Sequence, residues 1–147
     1  MKRSTGLRNA MLSGGSFKSV FDGSVIKVYA GSVAPNSADD ALPSDAVLLL
    51  TYSLNGSGSG VTLESTAAAG TIAKNSSEVW QGTIVTSGTP LFFRVQLPND
   101  SNAASTDANR LQGSVGLTDA DLIVSAMTFS AGDERRLNYF LASIAAG

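Results

Sequence analysis

A chain of 147 residues and 15.0 kDa has the size of one domain, large enough to bury a core without disulfide staples. Its 10 basic and 12 acidic residues give a formal charge of -2, which leaves no general attraction to nucleic acid or to anionic lipid. Cysteine and histidine are both absent, so thiolate nucleophiles, sulfur ligands and the commonest general base and metal ligand are excluded.

Along the chain the elements read as short and separated by turns. Ser4 precedes TGLRNAML and glycines 14 and 15 follow it, which allows a turn of helix or an extended arm. Ser16 caps a short helix from Phe17 to Phe21, and Gly23 permits a left-handed stop. Val25 to Tyr29 alternates as a half-buried strand. From Ser32 to Asp45 two prolines and three aspartates interrupt any period, the pattern of a long surface loop.

Ala46 to Leu50 is the longest apolar run, far short of the roughly 20 residues that span a bilayer. The strand continues to Leu54, and NGSGSG leading into VTLE predicts a hairpin with a flexible tip. Val79 to Val85 and Leu91 to Leu97 read as strands, the second with Leu91, Phe93, Val95 and Leu97 on its core face and Phe92, Arg94 and Gln96 on the other. Pro98 to Asn109 holds no large apolar residue, so it must be washed by solvent or ordered by a neighbour. Arg110 to Val115, Leu122 to Phe129 and Arg136 to Ser143 complete the strands. The last also fits a helical stripe, but strand is favoured because it follows a turn and a strand. Eight or nine short strands of this kind make an all-β fold, a jelly-roll-like β-sandwich spanning residues 16–147 behind an N-terminal arm of residues 1–15.

Candidate chemistry is sparse. Glu64, Glu78, Asp119 and Asp121 are the carboxylates that a glycosidase pair would need, yet scattered surface carboxylates are expected without catalysis. A serine-lysine nucleophile would need Lys18, Lys27 or Lys74 buried beside a serine. Asn99, Asp100, Asn102, Asp107 and Asn109 crowd oxygen ligands suited to calcium into one loop, without EF-hand spacing. Trp80, Tyr29, Tyr52 and Tyr139 are candidate platforms for sugars or bases, against a core role for Trp80 and Tyr139. The basic head, with Lys2, Arg3 and Arg8, reads either as a frayed terminus or as a contact with an acidic surface.

Four stretches taken together, Ser4 to Phe21, Val25 to Ala41, Gly82 to Val95 and Arg110 to Gly116, resemble small virion structural proteins of tailed bacteriophages, of the capsid cement or decoration type. The resemblance implies a non-enzymatic protein without a cofactor, made in the host cytoplasm and placed on the capsid exterior. Its partners would be the major capsid protein and further copies of itself, as a dimer or trimer at symmetry axes, with no membrane or direct nucleic-acid partner. In that reading residues 1–15 order on a neighbour, and Lys2, Arg3, Arg8, Asp39, Asp40 and Arg94 are the expected contacts. A tail or baseplate component and a glycan-binding sandwich are the alternatives.

Overall fold

The structure, a computed structural model, describes residues 1–144. In chain order the elements are β1 (Lys2–Arg3), α1 (Thr5–Leu12), α2 (Phe17–Phe21), β2 (Val25–Ala30), β3 (Val47–Leu54) and β4 (Thr71–Ala73). They continue with β5 (Trp80–Thr83), β6 (Phe92–Gln96), β7 (Leu111–Gly116), β8 (Leu122–Ile123), β9 (Glu134–Arg136) and β10 (Leu141–Ser143). Eight strands form one mainly antiparallel sheet in the order β1-β7-β6-β2-β3-β5-β9, with β8 parallel beside β7. Strands β4 and β10 form a small antiparallel second sheet. The fold is all-β, as expected, with its strands divided unequally between the two layers of a sandwich.

Register sorts the side chains of the large sheet onto two faces. Ile26 lies opposite Tyr52 and Val95, Val28 opposite Leu50 and Phe93, and Val95 opposite Leu111, so one face is continuously apolar. A register shift between Val28 and Tyr29 marks a bulge that lets both Leu49 and Leu50 reach the core. Helix α2 closes this core. Ser16 and Ser19 cap it reciprocally, and Gly23, at φ 88°, ends it in a conformation that a Cβ would oppose. Phe21 then stacks on Trp80 at 6.1 Å between ring centroids, and Phe140 packs against both. Trp80 is fully buried, its indole N–H donating to Glu78 Oε2 at 2.8 Å.

Several expectations change. The chain after Asn55 turns as predicted, but Val61 to Glu64 does not pair back onto β3, because β5 takes that edge through Ser53 opposite Gln81 and Leu54 opposite Trp80. Val61 bridges Ser24 instead. Residues 1–15 are not extended away from the body. Strand β1 pairs with β7, and α1 buries Leu7 in the core. Tertiary contacts supply what an eight-residue helix lacks alone. Towards the C-terminal end the predicted strands form only in part: Leu122–Ile123 of residues 122–129, as β8, and of residues 136–143 the stretch Leu141–Ser143, as β10 beside β4, with Arg136 ending β9.

Candidate interaction surface

The second face of the large sheet sets Lys27 against Arg94, Arg94 against Gln112, and Val25 against Gln96. Such a polar face normally meets water, yet Arg94, Gln96 and Gln112 are all buried. Two loops roof it. Arg94 donates from Nε to Gln112 Oε1 at 2.9 Å and from Nη2 to the Asp40 carbonyl at 2.7 Å, while Gln112 Nε2 donates to the Pro35 carbonyl at 2.8 Å. Arg110 holds the second loop through a forked pair with Asp100, 2.7 Å from Nε and 2.6 Å from Nη2, and donates again to the Ala103 carbonyl. The side chains of Arg110 and Asp100 are 1% and 8% exposed, so this ion pair is screened little by solvent. Burial disfavours the Asp100 anion, but the hydrogen bonds from Arg110 and from the Asn102 amide prevail and hold the carboxyl below its ordinary range. Burial, with Arg110 nearby, pulls Arg94 below the usual guanidinium value.

The roof is closed at its edge by α1. Ser4 is its N-cap and is fully buried: its hydroxyl accepts from the Leu7 and Arg110 amides and donates to the Ala108 carbonyl at 2.7 Å. The helix has no acidic residue in its own first turn. Asp39 supplies that charge from the loop, accepting from the Thr5 amide at 2.7 Å and the Thr5 hydroxyl at 2.6 Å. These bonds from Thr5 keep the Asp39 carboxyl below its ordinary value. Arg8 donates to the Thr5 hydroxyl, and the Ser105 amide donates to the Asp39 carbonyl, so the helix and both loops meet here.

Five of the six expected contact residues therefore gather in one layer, but in different roles. Lys2, Arg8 and Asp40 are exposed. Asp39 is half-buried and spent on capping α1. Arg94 is fully buried and faces no solvent, which corrects its expected role: it sits under the loop at Asp40 and holds it. Arg3, next to Lys2 in an alternating strand, points elsewhere. Lys2 reaches the Pro35 carbonyl, whereas Arg3 reaches the Ser143 carbonyl at 3.4 Å. Sequence reasoning missed Ser4, Asp100 and Arg110 as the residues that fasten the layer; an arginine directly after a loop whose charged residues are both acidic, Asp100 and Asp107, was the available signal.

Most of the other candidates are engaged elsewhere. Glu78 accepts from Thr62 and Trp80, Glu64 from the Ser76 amide, and Asp121 from the amino terminus. Hydrogen bonding, from Ser76 in one case and from the terminal amine against burial in the other, keeps Glu64 and Asp121 below their ordinary values, opposite to what a general acid needs. Lys18 is paired with Asp22 and the Leu63 carbonyl, and Lys74 with the carbonyls of Asn75 and Glu78. Among the described residues no group of three acidic side chains gathers as metal ligands, and Asp100 of the oxygen-rich loop is committed to Arg110. Of the aromatic platforms Trp80, Tyr29 and Tyr52 are buried, and Tyr139 alone stands out, 72% exposed. The site's chemistry is that of a fixed, charged surface. Compared with protein-family models, curated proteins and solved structures, the chain matches none.

Proposed function

We propose that the chain is a structural protein of a tailed-phage particle, a cement or decoration protein that binds the outside of the shell at capsomer junctions and steadies it against internal DNA pressure. It works by adhesion, without making or breaking a bond. Its partners are the major capsid protein and other copies of itself at symmetry axes, and the resemblance of the four stretches to small virion proteins is what names them.

One observation carries the physical side of this reading: Lys2, Arg8 and Asp40 stand exposed on a layer of helix and loops that Arg94 and the Arg110–Asp100 pair pin to the sheet. A surface ordered before binding avoids the entropy of ordering it on contact. Repeated at many symmetry-related positions, interfaces of roughly 800 Å² per partner give a large collective barrier to shell opening. The glycan-binding alternative loses Trp80, its best platform, to the core.

The test is to label the chain and image intact particles, then to repeat the binding with the charge-reversed variant R8E/D40K. Label on heads, lower occupancy of the variant and weaker binding at raised salt are expected. Label on tails would move the protein to the tail or baseplate, and full occupancy by R8E/D40K would remove this face from the interface.

A further inference from the structure

We infer that the open edge of β10 is a docking groove for an extended segment of a partner protein, one in which apolar residues alternate with acidic ones, added to β10 as an extra strand. This surface differs from the charged loop layer and the inference stands whether or not the chain belongs to a phage particle.

The hydrogen-bond ladder supplies the first argument. The Lys74 amide donates to the Phe140 carbonyl and the Ile144 amide to the Gly70 carbonyl, and Ala142 lies opposite Ile72. In an antiparallel ladder the residues between these, Leu141 and Ser143, turn their amides and carbonyls to the other side. Among the described residues no strand pairs on that side. Arg3 donates to it, at the Ser143 carbonyl. An unpaired edge of this kind is a template for another chain.

Shape is the second argument. Two adjoining hollows of about 440 and 610 Å³ share Asp121 and flank β10, Ala142 and Ser143 lining one and Leu141 the other. Around them Met1, Ile123, Tyr139, Leu141 and Ile144 remain exposed, between 36% and 72%. A strand has side chains on alternate faces, so one segment laid along β10 would place apolar residues toward the hollows and the intervening ones toward the rim.

Charge selects the occupant. The lining includes the amino terminus, Arg3, Lys18, Arg135 and Arg136; the amino terminus is paired with Asp121 and Lys18 with Asp22, which leaves as its cations Arg3, Arg135 and Arg136, the last only 3.8 Å from Glu134 in an exposed pair. The groove is thus basic on a chain whose net charge is -2. Acidic residues at the rim positions of the incoming strand match it. A second copy pairing β10 to β10 about a two-fold axis would set the same cations against each other.

The probe is a blocked octapeptide of alternating valine and glutamate, titrated into the full chain by NMR with hydrogen exchange. Its lysine counterpart and a version N-methylated at alternate residues serve as controls. Expected are slowed exchange at the Leu141 and Ser143 amides, affinity for the glutamate peptide at least about tenfold above the lysine peptide, and loss of binding on N-methylation. L141P deletes an edge amide that β4 does not use and should abolish binding while the Ile144 amide stays protected. R3E/R136E should reverse the peptide preference without touching the ladder. Equal affinity for both charged peptides, no binding at millimolar concentration, or protection of Leu141 and Ser143 by self-association of the free chain would each overturn the inference, the last by making the occupant a second copy.

Discussion

Asp100 and Arg110 show how one residue can decide whether a loop is a loop. Together they anchor residues 98–110 on a buried polar face. Removing one partner leaves a charge in a site with little access to water, at a cost of about 3–5 kcal/mol, whereas replacing both by apolar groups costs much less. Asp100→Asn should therefore lower the unfolding midpoint more than the double change Asp100→Asn with Arg110→Met, read by urea denaturation. A double variant less stable than the single one would show that the pair is a net stabiliser. Acid should act through the same groups. Asp39, Asp100 and Asp121 ionise more readily folded than unfolded, so below about pH 4 the unfolded chain takes up protons first and stability falls with pH. Above about pH 5 these carboxylates contribute fully and the midpoint should be flat. At the alkaline end burial pushes Tyr52 up to about 12, so the unfolded chain, whose tyrosines ionise near 10, is favoured as pH rises from about 10. Thermal midpoints between pH 2 and 12 test both limbs, and Asp39→Asn should make the acid limb shallower.

At the scale of elements, α1 inverts an ordinary rule. Alanine in place of a helical glycine usually stabilises by about 1 kcal/mol through helix propensity. Gly6 is buried in α1, and a Cβ there would overlap the Asp107 carbonyl of the neighbouring loop, which is backbone and cannot step aside. Gly6→Ala should lower the thermal midpoint instead of raising it, and it should speed hydrogen exchange across residues 98–110. A raised midpoint would mean that helix and loop do not meet so closely. Strand β1 and α1 belong to the body by the same kind of contact: β1 pairs with β7, Ser4 bonds residues 108 and 110, and Leu7 fills the core. Deleting residues 1–15 is expected to cost stability as well as any surface function. Calorimetry of the truncated chain checks this, and an unchanged midpoint would restore the picture of an independent arm.

At the scale of the whole molecule, two surfaces are proposed for contact. One is the loop-and-helix layer with its exposed Lys2, Arg8 and Asp40; the other is the basic groove at the β10 edge. The alternation of β1 divides them, Lys2 toward the first and Arg3 toward the second. Between them lies an aromatic centre of Phe21, Trp80 and Phe140. The two faces have separate tests, charge reversal on particles and strand addition in solution.

The sequence by itself determined whatever depends on neighbours in the chain. The Ser16 cap and the Gly23 stop, the strand at Val25 to Tyr29, the apolar run at 46–50 and the turn after Asn55 are written in local propensity and period, but that strand, expected half-buried, also buries Val25 and Tyr29 on its second face. The burial of Phe93 and Val95 is written there too, although Leu97, expected on the same core face, lies past the end of β6 and is exposed. Tertiary structure decided what depends on which edge is free. The predicted hairpin failed because β5, distant in sequence, took the edge of β3. Arg94 reads as an exposed strand residue until residues 35–40 are folded over it, and nothing in the period of β6 announces that cover. The basic head became part of the body because β7 left an edge for it and Asp39 lay where α1 needed a negative charge. Local patterns encode which face of a strand is apolar, but the partner that covers the polar face is chosen by loops whose own sequences carry no period.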